Sequence, residues 1–404
     1  VIALYCFDPR QFEVDQLGFK KTEKYRAKFL IDTVTDLKSN LAQLNIPLFV
    51  YTIKPENCIP DLVENYKVNH IFLQEEWTQE EVNVFSKVKE NLPEHIQIST
   101  NYNQFLYHPE DIPFSIEQLP KVFTEFRKAC EKRSEIRQET SSSTEKVNKE
   151  SIENLTSIPS LSDLGFDDFE VHPNSAFSFK GGETEALKRL EDYFFNTKKL
   201  GVYKKTRNGL IGKDFSSKFS PWLANGSISA KHIYYQVKQF EKTHFKNDST
   251  YWLIFELIWR DYFKYVSLKF GNQIFKIDGI LNKDYQWSKN QQKINDWING
   301  KTPEPFVNAN MIELKKTGWM SNRGRQNVAS YFAKSMELDW RIGAAYFESL
   351  LLDYDVHSNW GNWMYNSGVG NDPRDRKFNI QSQAERYDSS GKYQRLWLEP
   401  SLFD

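Results

Sequence analysis

The chain has 404 residues, long enough for more than one hydrophobic core. A net charge of −1 excludes a protein that holds nucleic acid by bulk charge, so any such contact has to come from a local basic patch. No apolar run reaches membrane-spanning length and no signal-peptide pattern opens the chain. Cys6, Cys58 and Cys130 lie far apart without metal-ligand spacing and read as ordinary buried thiols in a reducing compartment. Aromatic residues make up 15% of the chain, and ten of the eleven Trp follow residue 200, which divides it into an ordinary first part and an aromatic second part.

Val1 to Phe7 is an apolar run that predicts a buried strand. Thr22 to Leu44 predicts an amphipathic helix with Leu30, Val34, Leu37, Leu41 and Leu44 on one face. Strands are predicted at Ile46 to Ile53 and His70 to Leu73, and a helix at Glu80 to Leu92. Strands alternating with helices predict a parallel sheet covered on both faces. The sheet has no G-x-G-x-x-G and so no dinucleotide signal of its own.

Residues 134–175 are expected to be an inter-domain linker. The polar run Gln138 to Glu145 carries no periodicity and reads as partly mobile. After Phe179 the pattern becomes helical. Helices are predicted from Glu183 to Thr197, from an N-cap at Ser220 with Pro221 at the first helical position, from Ser229, and over Trp252 to Phe270. Val328, Phe332, Met336, Trp340, Phe347, Leu350 and Leu351 fall at buried helical spacings. The expected architecture is therefore an α/β domain over 1–133 and an all-α domain over 176–404.

Ser216, Ser217, Lys218, Phe219 and Ser220 precede a helix start. Hydroxyls, backbone N–H groups and the helix dipole there favour a phosphate, although serines before a helix are usually only caps. Glu256 and Arg260 are four residues apart in the aromatic helix and share a face, so an i,i+4 ion pair is the plainest reading. Between Thr317 and Tyr365 lie Asn322, Arg325, Asp353, Asp355 and Asn359 among many indoles. Arg325 is expected to pair with Asp353, which would keep both charges tolerable in a closed pocket. An aromatic pocket with a few fixed polar groups suits a large flat cofactor. The seven His show no metal spacing, and no metal site is expected.

Three segments carry a family resemblance: Gly318 to Gln326, the run N-D-P-R-D-R-K-F-N-I from Asn371, and R-L-W-L from Arg395. With them the chain resembles the cryptochrome/photolyase family over nearly its whole length, and most closely the DASH branch. Relatives of that kind have an earlier strand and helix, so the resemblance implies a Rossmann-like sheet that lacks its first strand here. It implies FAD held by Tyr203, Ser216, Ser217, Lys218, Phe219, Ser220, Glu256, Arg260, Asn322, Arg325, Asp353 and Asp355, with Asn359 facing flavin N5. Lesion contacts would be Glu256, Trp259, Asn322, Gln326 and Tyr365. Trp297, Trp340 and Trp363 match the indoles that relay electrons from the surface to the flavin. Methenyltetrahydrofolate is the implied antenna, with Glu76, or nearly as well Glu75, as its carboxylate contact.

The implied activity is blue-light-driven splitting of cyclobutane pyrimidine dimers, preferentially in single-stranded or looped DNA, with RNA as a further partner. Lys204, Lys205, Lys218, Arg323 and Arg374 would bind the backbone. The alternatives are a blue-light signalling protein and a flavoprotein that binds nucleic acid without turnover. A cytoplasmic monomer is expected, with organelle targeting left open.

Overall fold

The computed structural model describes residues 1–140 and 145–399. Of the polar run expected to be mobile, residues 141–144 lie outside the described residues. Strand β1 (Ala3–Cys6) pairs in parallel with β2 (Leu48–Tyr51), and β3 (His70–Gln74) with β4 (Gln97–Asn101). Among the described residues the strands form these two parallel pairs, where one sheet was expected. Parallel strands need long crossovers. Helices α1 (Lys24–Gln43), α2 (Pro55–Asn65) and α3 (Gln79–Glu90) supply them, and α4 (Phe123–Arg133) follows.

Helix α1 buries Tyr25, Ala27, Phe29 and Val34, whereas Leu37 of the predicted face is exposed. The reason lies outside the helix. Its first turns dock on the helical part of the molecule, where Tyr25 Oη donates to the Lys315 carbonyl (2.9 Å) and Arg26 Nη1 to the Leu351 carbonyl (3.0 Å). The docking buries a second face at Tyr25 and Phe29, while Val34, Leu30 and Leu41 of the predicted face pack with Leu48 and Val50 of β2.

The connector is tethered from Val147 onward. Its N–H donates to the Leu44 carbonyl (2.8 Å). Asn154 Nδ2 donates to the Leu48 carbonyl (2.7 Å), and Thr156 Oγ1 accepts from the Val50 N–H (2.9 Å). Leu161 and Phe166 form a small core with Ala27.

The remainder is helical. It comprises α5 (Glu183–Glu191), α6 (Tyr203–Thr206), α7 (Ser220–Ala224), α8 (Ala230–Thr243), α9 (Asp248–Phe270), α10 (Gln291–Ile298), α11 (Pro305–Thr317), α12 (Asn322–Ser330), α13 (Trp340–Leu350), α14 (Val356–Ser367), α15 (Ile380–Tyr387) and α16 (Lys392–Leu398). Helix α5 ends at Glu191 and runs on into a π turn, Asp192–Asn196. Ser220 is the first residue of α7, one position inside the predicted cap.

Helix α9 is the axis of this half. It starts at a capping box, in which Asn247 accepts from the Ser249 and Thr250 N–H groups and the Thr250 hydroxyl accepts from the Asn247 N–H. Its 23 residues span about 34 Å. Buried residues face several sides, including Leu257, Ile258, Tyr262 and Tyr265. Asp261 is wholly buried, and its carboxylate accepts from the Leu106 N–H (3.0 Å) and the Tyr107 N–H (2.8 Å). Burial pushes its pKa from 3.8 up to about 6, against the opposing effect of those two N–H groups.

The raised value fixes the sign of a pH dependence. The folded state holds the proton more tightly than the unfolded state, so this group's contribution is full below 3.8 and is lost as pH rises through about 6. The interval is worth on the order of 3 kcal/mol. Asp261→Asn removes that slope. It also turns an amide nitrogen toward the Leu106 N–H, which bonds to both carboxylate oxygens, and this should cost about 1–3 kcal/mol at pH 7. Denaturant titrations of both proteins from pH 4 to 7 test this; an unchanged slope in the variant would show that Asp261 does not titrate as stated.

Candidate functional site

Helices α12, α13 and α14 converge on a cleft of about 60 Å³ lined by Asn322, Arg325, Gln326, Asp353, Asp355, Asn359 and Trp363. Two caps set the helix starts. Ser321 Oγ accepts from the Gly324 N–H (3.0 Å), and Asp355 Oδ1 accepts from the Ser358 N–H (2.8 Å). Arg325 Nη2 lies 2.9 and 3.0 Å from the two oxygens of Asp353, and its Nε donates to the Met320 carbonyl (2.9 Å). Asn359 Nδ2 donates to the Ala344 carbonyl (3.0 Å), so its oxygen is the group left to act as an acceptor. The Trp363 indole lies directly on Gly343, where a Cβ would come within 2.2 Å of the ring. Only glycine permits that approach.

A much larger cavity, about 1630 Å³, opens next to the cleft; Tyr354 and Asp355 line both. It is lined by Arg260, Lys264, His357 and Trp360 from the helical half and by Arg26, Glu76 and Glu81 from the first part. Lys264 Nζ lies 3.2 Å from Asp355 Oδ2. Burial alone would raise the Asp355 carboxyl, but the charges of Lys264 and Arg260 and the Ser358 N–H oppose it and hold it far below the usual carboxylate range. Burial and the Lys264 charge keep His357 neutral. Its Nδ1 lies 2.6 Å from Ser267 Oγ and its ring stacks on Trp77 at 4.6 Å. Burial raises the Glu76 carboxyl, with Lys264 opposing.

The i,i+4 pair that the spacing of Glu256 and Arg260 allows, and that their apolar surroundings speak against, does not form. Arg260 donates to the carbonyls of Gln104 (2.6 Å) and Leu223 (3.1 Å), while Glu256 Oε1 pairs with Arg207 Nη1 at 2.7 Å. Both residues satisfy long-range partners that their spacing does not show.

Ser216 to Ser220 adjoin the large cavity through Pro221, which lines it, but do not line it themselves. Ser217, Lys218 and Phe219 are buried, and Tyr203 is buried beside Glu256 and Arg207. The loop is shaped by Arg189, a residue without a sequence signal. Its guanidinium donates to the carbonyls of Lys213 (3.1 Å), Ser216 (3.1 Å) and Ser217 (3.2 Å), and it lies 3.1 Å from Asp214. Arg207 and Lys264 escaped sequence reading for the same reason, since their partners lie far away in the chain.

Trp259 stacks on Phe123 at 3.7 Å and meets Tyr365 edge-on at 5.9 Å. Tyr365 Oη accepts from Arg376 Nη2 (2.8 Å). Trp297 is wholly buried, with its ring 6.1 Å from Trp363 and its Nε1 donating to the Val328 carbonyl. Trp340 and Trp363 are as buried as Trp297, so none of the three is itself a surface indole. Trp340 is one turn before Gly343 on α13. The bonds Ser288 N–H to Glu337 carbonyl (2.7 Å) and Asp339 N–H to Ser288 carbonyl (2.9 Å) join the segment that follows the partly exposed Trp287 to the residues before α13.

A family model described as DNA photolyase matches residues 1–145, and one described as the FAD binding domain of DNA photolyase matches 252–402. A protein of Xenopus laevis named Cryptochrome DASH is 47% identical over 403 residues, covering 98% of this chain and 77% of its own. The chain belongs to the DASH cryptochromes. Among other DASH cryptochromes, that of Synechocystis is 46% identical, covering 98% of this chain and 82% of the relative. The crystal structure of a Synechocystis cryptochrome superposes with a TM-score of 0.94 at 45% identity, over 98% of this chain and 82% of that one. A class III photolyase from Agrobacterium tumefaciens, 22% identical with a TM-score of 0.79 over 98% of this chain and 86% of that one, shares the fold.

A DASH cryptochrome carries a photolyase-type FAD-binding domain, and the residues here fit that cofactor. The large cavity exceeds the usual size of a ligand pocket, about 300–1,000 Å³. Arg260 and Lys264 place two cations on its wall, suited to a diphosphate, and the aromatic residues Tyr354 and Trp360 suit flat rings. Arg260, Lys264 and Asp355 would hold the cofactor from the cavity wall, which the Ser216–Ser220 loop adjoins through Pro221, with Arg325, Asp353 and Asn359 at the cleft.

Replacing Arg189 by Met leaves the carbonyls of Lys213, Ser216 and Ser217 without their donor, at a cost of a few kcal/mol. The purified variant should keep its helical circular dichroism and lose most of its FAD. Asp353→Ala, which strands Arg325, should weaken retention in the same way. Full occupancy in Arg189→Met would show that the loop does not depend on this guanidinium.

Proposed function

We propose that the protein splits cyclobutane pyrimidine dimers under blue light, preferring single-stranded or looped DNA. One observation carries this reading: the cleft lined by Asn322, Gln326 and Asn359 shares helix α14 with Tyr365, which meets Trp259 edge-on, and guanidiniums gather around Arg323 of α12. Arg323 is depressed by its burial and by Arg207, Arg386 and Arg376, so four guanidiniums gather in a chain of net charge −1. That is the local basic patch a nucleic-acid backbone needs, and binding through it should weaken with salt.

When bound, reduced FAD supplies an electron in the light and takes it back after the dimer has split. The residues do the rest. Trp259 and Tyr365 offer aromatic surface for the extruded bases, Asn322 and Gln326 offer amides for their edges, and Glu256 accepts from a base N–H. Arg207 holds the Glu256 carboxylate in place at 2.7 Å. Trp363, Trp340 and Trp287 form the indole path from the cofactor site to solvent. Glu76, which lines the large cavity, would hold a folate antenna.

Photolyases are among the enzymes known to take their target out of the stack, which costs a few kcal/mol in a duplex. Gln326 and Tyr365 give this site more polar surface than an all-apolar pocket would have, so binding offsets less of that cost. Single-stranded lesions avoid most of it. Chemically reduced holoprotein should therefore repair a dimer in a single strand at least tenfold faster than in a duplex, and Glu256→Ala should lower repair while FAD stays bound. Equal rates on both substrates would remove the preference. Light-dependent binding without any repair would favour the photoreceptor reading.

A separate experiment tests the indole path. Trp363→Phe and Trp287→Phe should slow light-driven reduction of oxidised holoprotein by an external thiol, because ring volume is nearly kept while the indole is lost. Trp297→Phe should not. Slowing by Trp297→Phe alone would return the role to the buried indole.

A further inference from the structure

The three cysteines are far apart in sequence, but two of them meet in the fold. Cys6 ends β1, and Cys58 is the fourth residue of α2. Their sulfurs lie 3.5 Å apart and share a hydrogen bond across 52 positions of sequence. Cys58 is buried and also donates to the Pro55 carbonyl (3.6 Å), while Cys6 is partly exposed. Asp8 and Glu56 flank the pair, and Arg10 bonds to both carboxylates. The third cysteine, Cys130, is wholly buried on α4 and has no sulfur near it.

We infer that Cys6 and Cys58 are a reversible dithiol–disulfide pair, oxidised by a small-molecule disulfide of the glutathione type. The sulfurs need to approach by only about 1.5 Å to reach the bonded distance of about 2.05 Å. Such closure is within reach of a strand end that pairs on one side only with β2. The shared hydrogen bond depresses the Cys58 thiol and raises that of Cys6, and the position near the start of a helix also favours a thiolate at Cys58.

The exchange balances. Cys58 first loses its proton to water, and its thiolate takes the proton of Cys6 as Cys6 attacks one sulfur of the reagent; the reagent's S–S bond breaks and one thiolate leaves. Cys58 then releases its proton to water and attacks Cys6 Sγ in the mixed disulfide, expelling the second reagent thiolate. Counted from the dithiol, the protein gives up two electrons and two protons, and the reagent ends as two thiols. The new bond ties β1 to α2. Tyr5, next to Cys6, lines the large cavity, so the bond forms one residue from its wall.

The test uses the FAD-loaded full chain, incubated with oxidised glutathione, alkylated and digested. The expected product is one cross-linked peptide pair containing Cys6 and Cys58, a protein mass lower by two hydrogens, and full reversal by dithiothreitol. Cys58→Ser should instead accumulate glutathione on Cys6, and Cys130→Ser should cross-link as the parent does. The peptide map of the unaltered chain decides the matter even if a variant folds poorly. Stable glutathione on Cys6 of the parent overturns the inference. So does a bridge to Cys130, or two free thiols under conditions that fully oxidise a reference dithiol.

Discussion

A carboxylate removed from water has to be met by donors, and Asp261 is met by the backbone N–H groups of Leu106 and Tyr107. Those two bonds lock the segment before α4 to the middle of α9. The other groups of interest lie on the same helix at three- and four-residue spacings: Glu256, Arg260, Lys264 and Ser267. This stripe covers about 16 Å of helix. At one end Glu256 meets Arg207; at the other Ser267 accepts from Trp77 Nε1 (2.8 Å), from the first part of the chain. Fixing one point of α9 therefore sets the alignment of the cavity's two walls.

The charges along that wall are matched group by group. Lys264 faces Asp355, which is also the cap of α14, so one carboxylate both starts a helix and neutralises a buried ammonium. His357 stays uncharged between them, which avoids a third charge in a small volume. Arg260 has backbone carbonyls as partners in place of a counter-ion, so its positive charge remains available to a ligand.

Sequence periodicity disclosed what depends on neighbours along the chain. The alternation of strands and helices, the aromatic helix α9 and the buried stripe through Val328, Phe332 and Trp340 were all legible in this way. Strand β4 was not, because Gln97–Asn101 has one strongly apolar residue, and α2 was hidden by Pro60 inside it. The site was legible where motif residues carried it, as at Asn322, Arg325 and Asn359, which the fold gathers in one cleft. Pairs joined only by the fold left no trace: Arg189 with its loop, Lys264 with Asp355, and Arg207 with Glu256. Trp297 and Trp287 show the same limit. Both are indoles near helix α10, and only burial distinguishes the enclosed one from the partly exposed one.

The connector's grip on β2 has a consequence for how the molecule behaves among its own copies. A strand pairing on one side presents a row of free N–H and C=O groups, a template on which another chain can add. Asn154 and Thr156 occupy the Leu48 carbonyl and the Val50 N–H with side chains, leaving that row interrupted. Side-chain amide and hydroxyl groups cannot propagate a ladder as a further strand would. A stretch whose composition suggests a passive spacer thus acts as a guard against edge-to-edge aggregation.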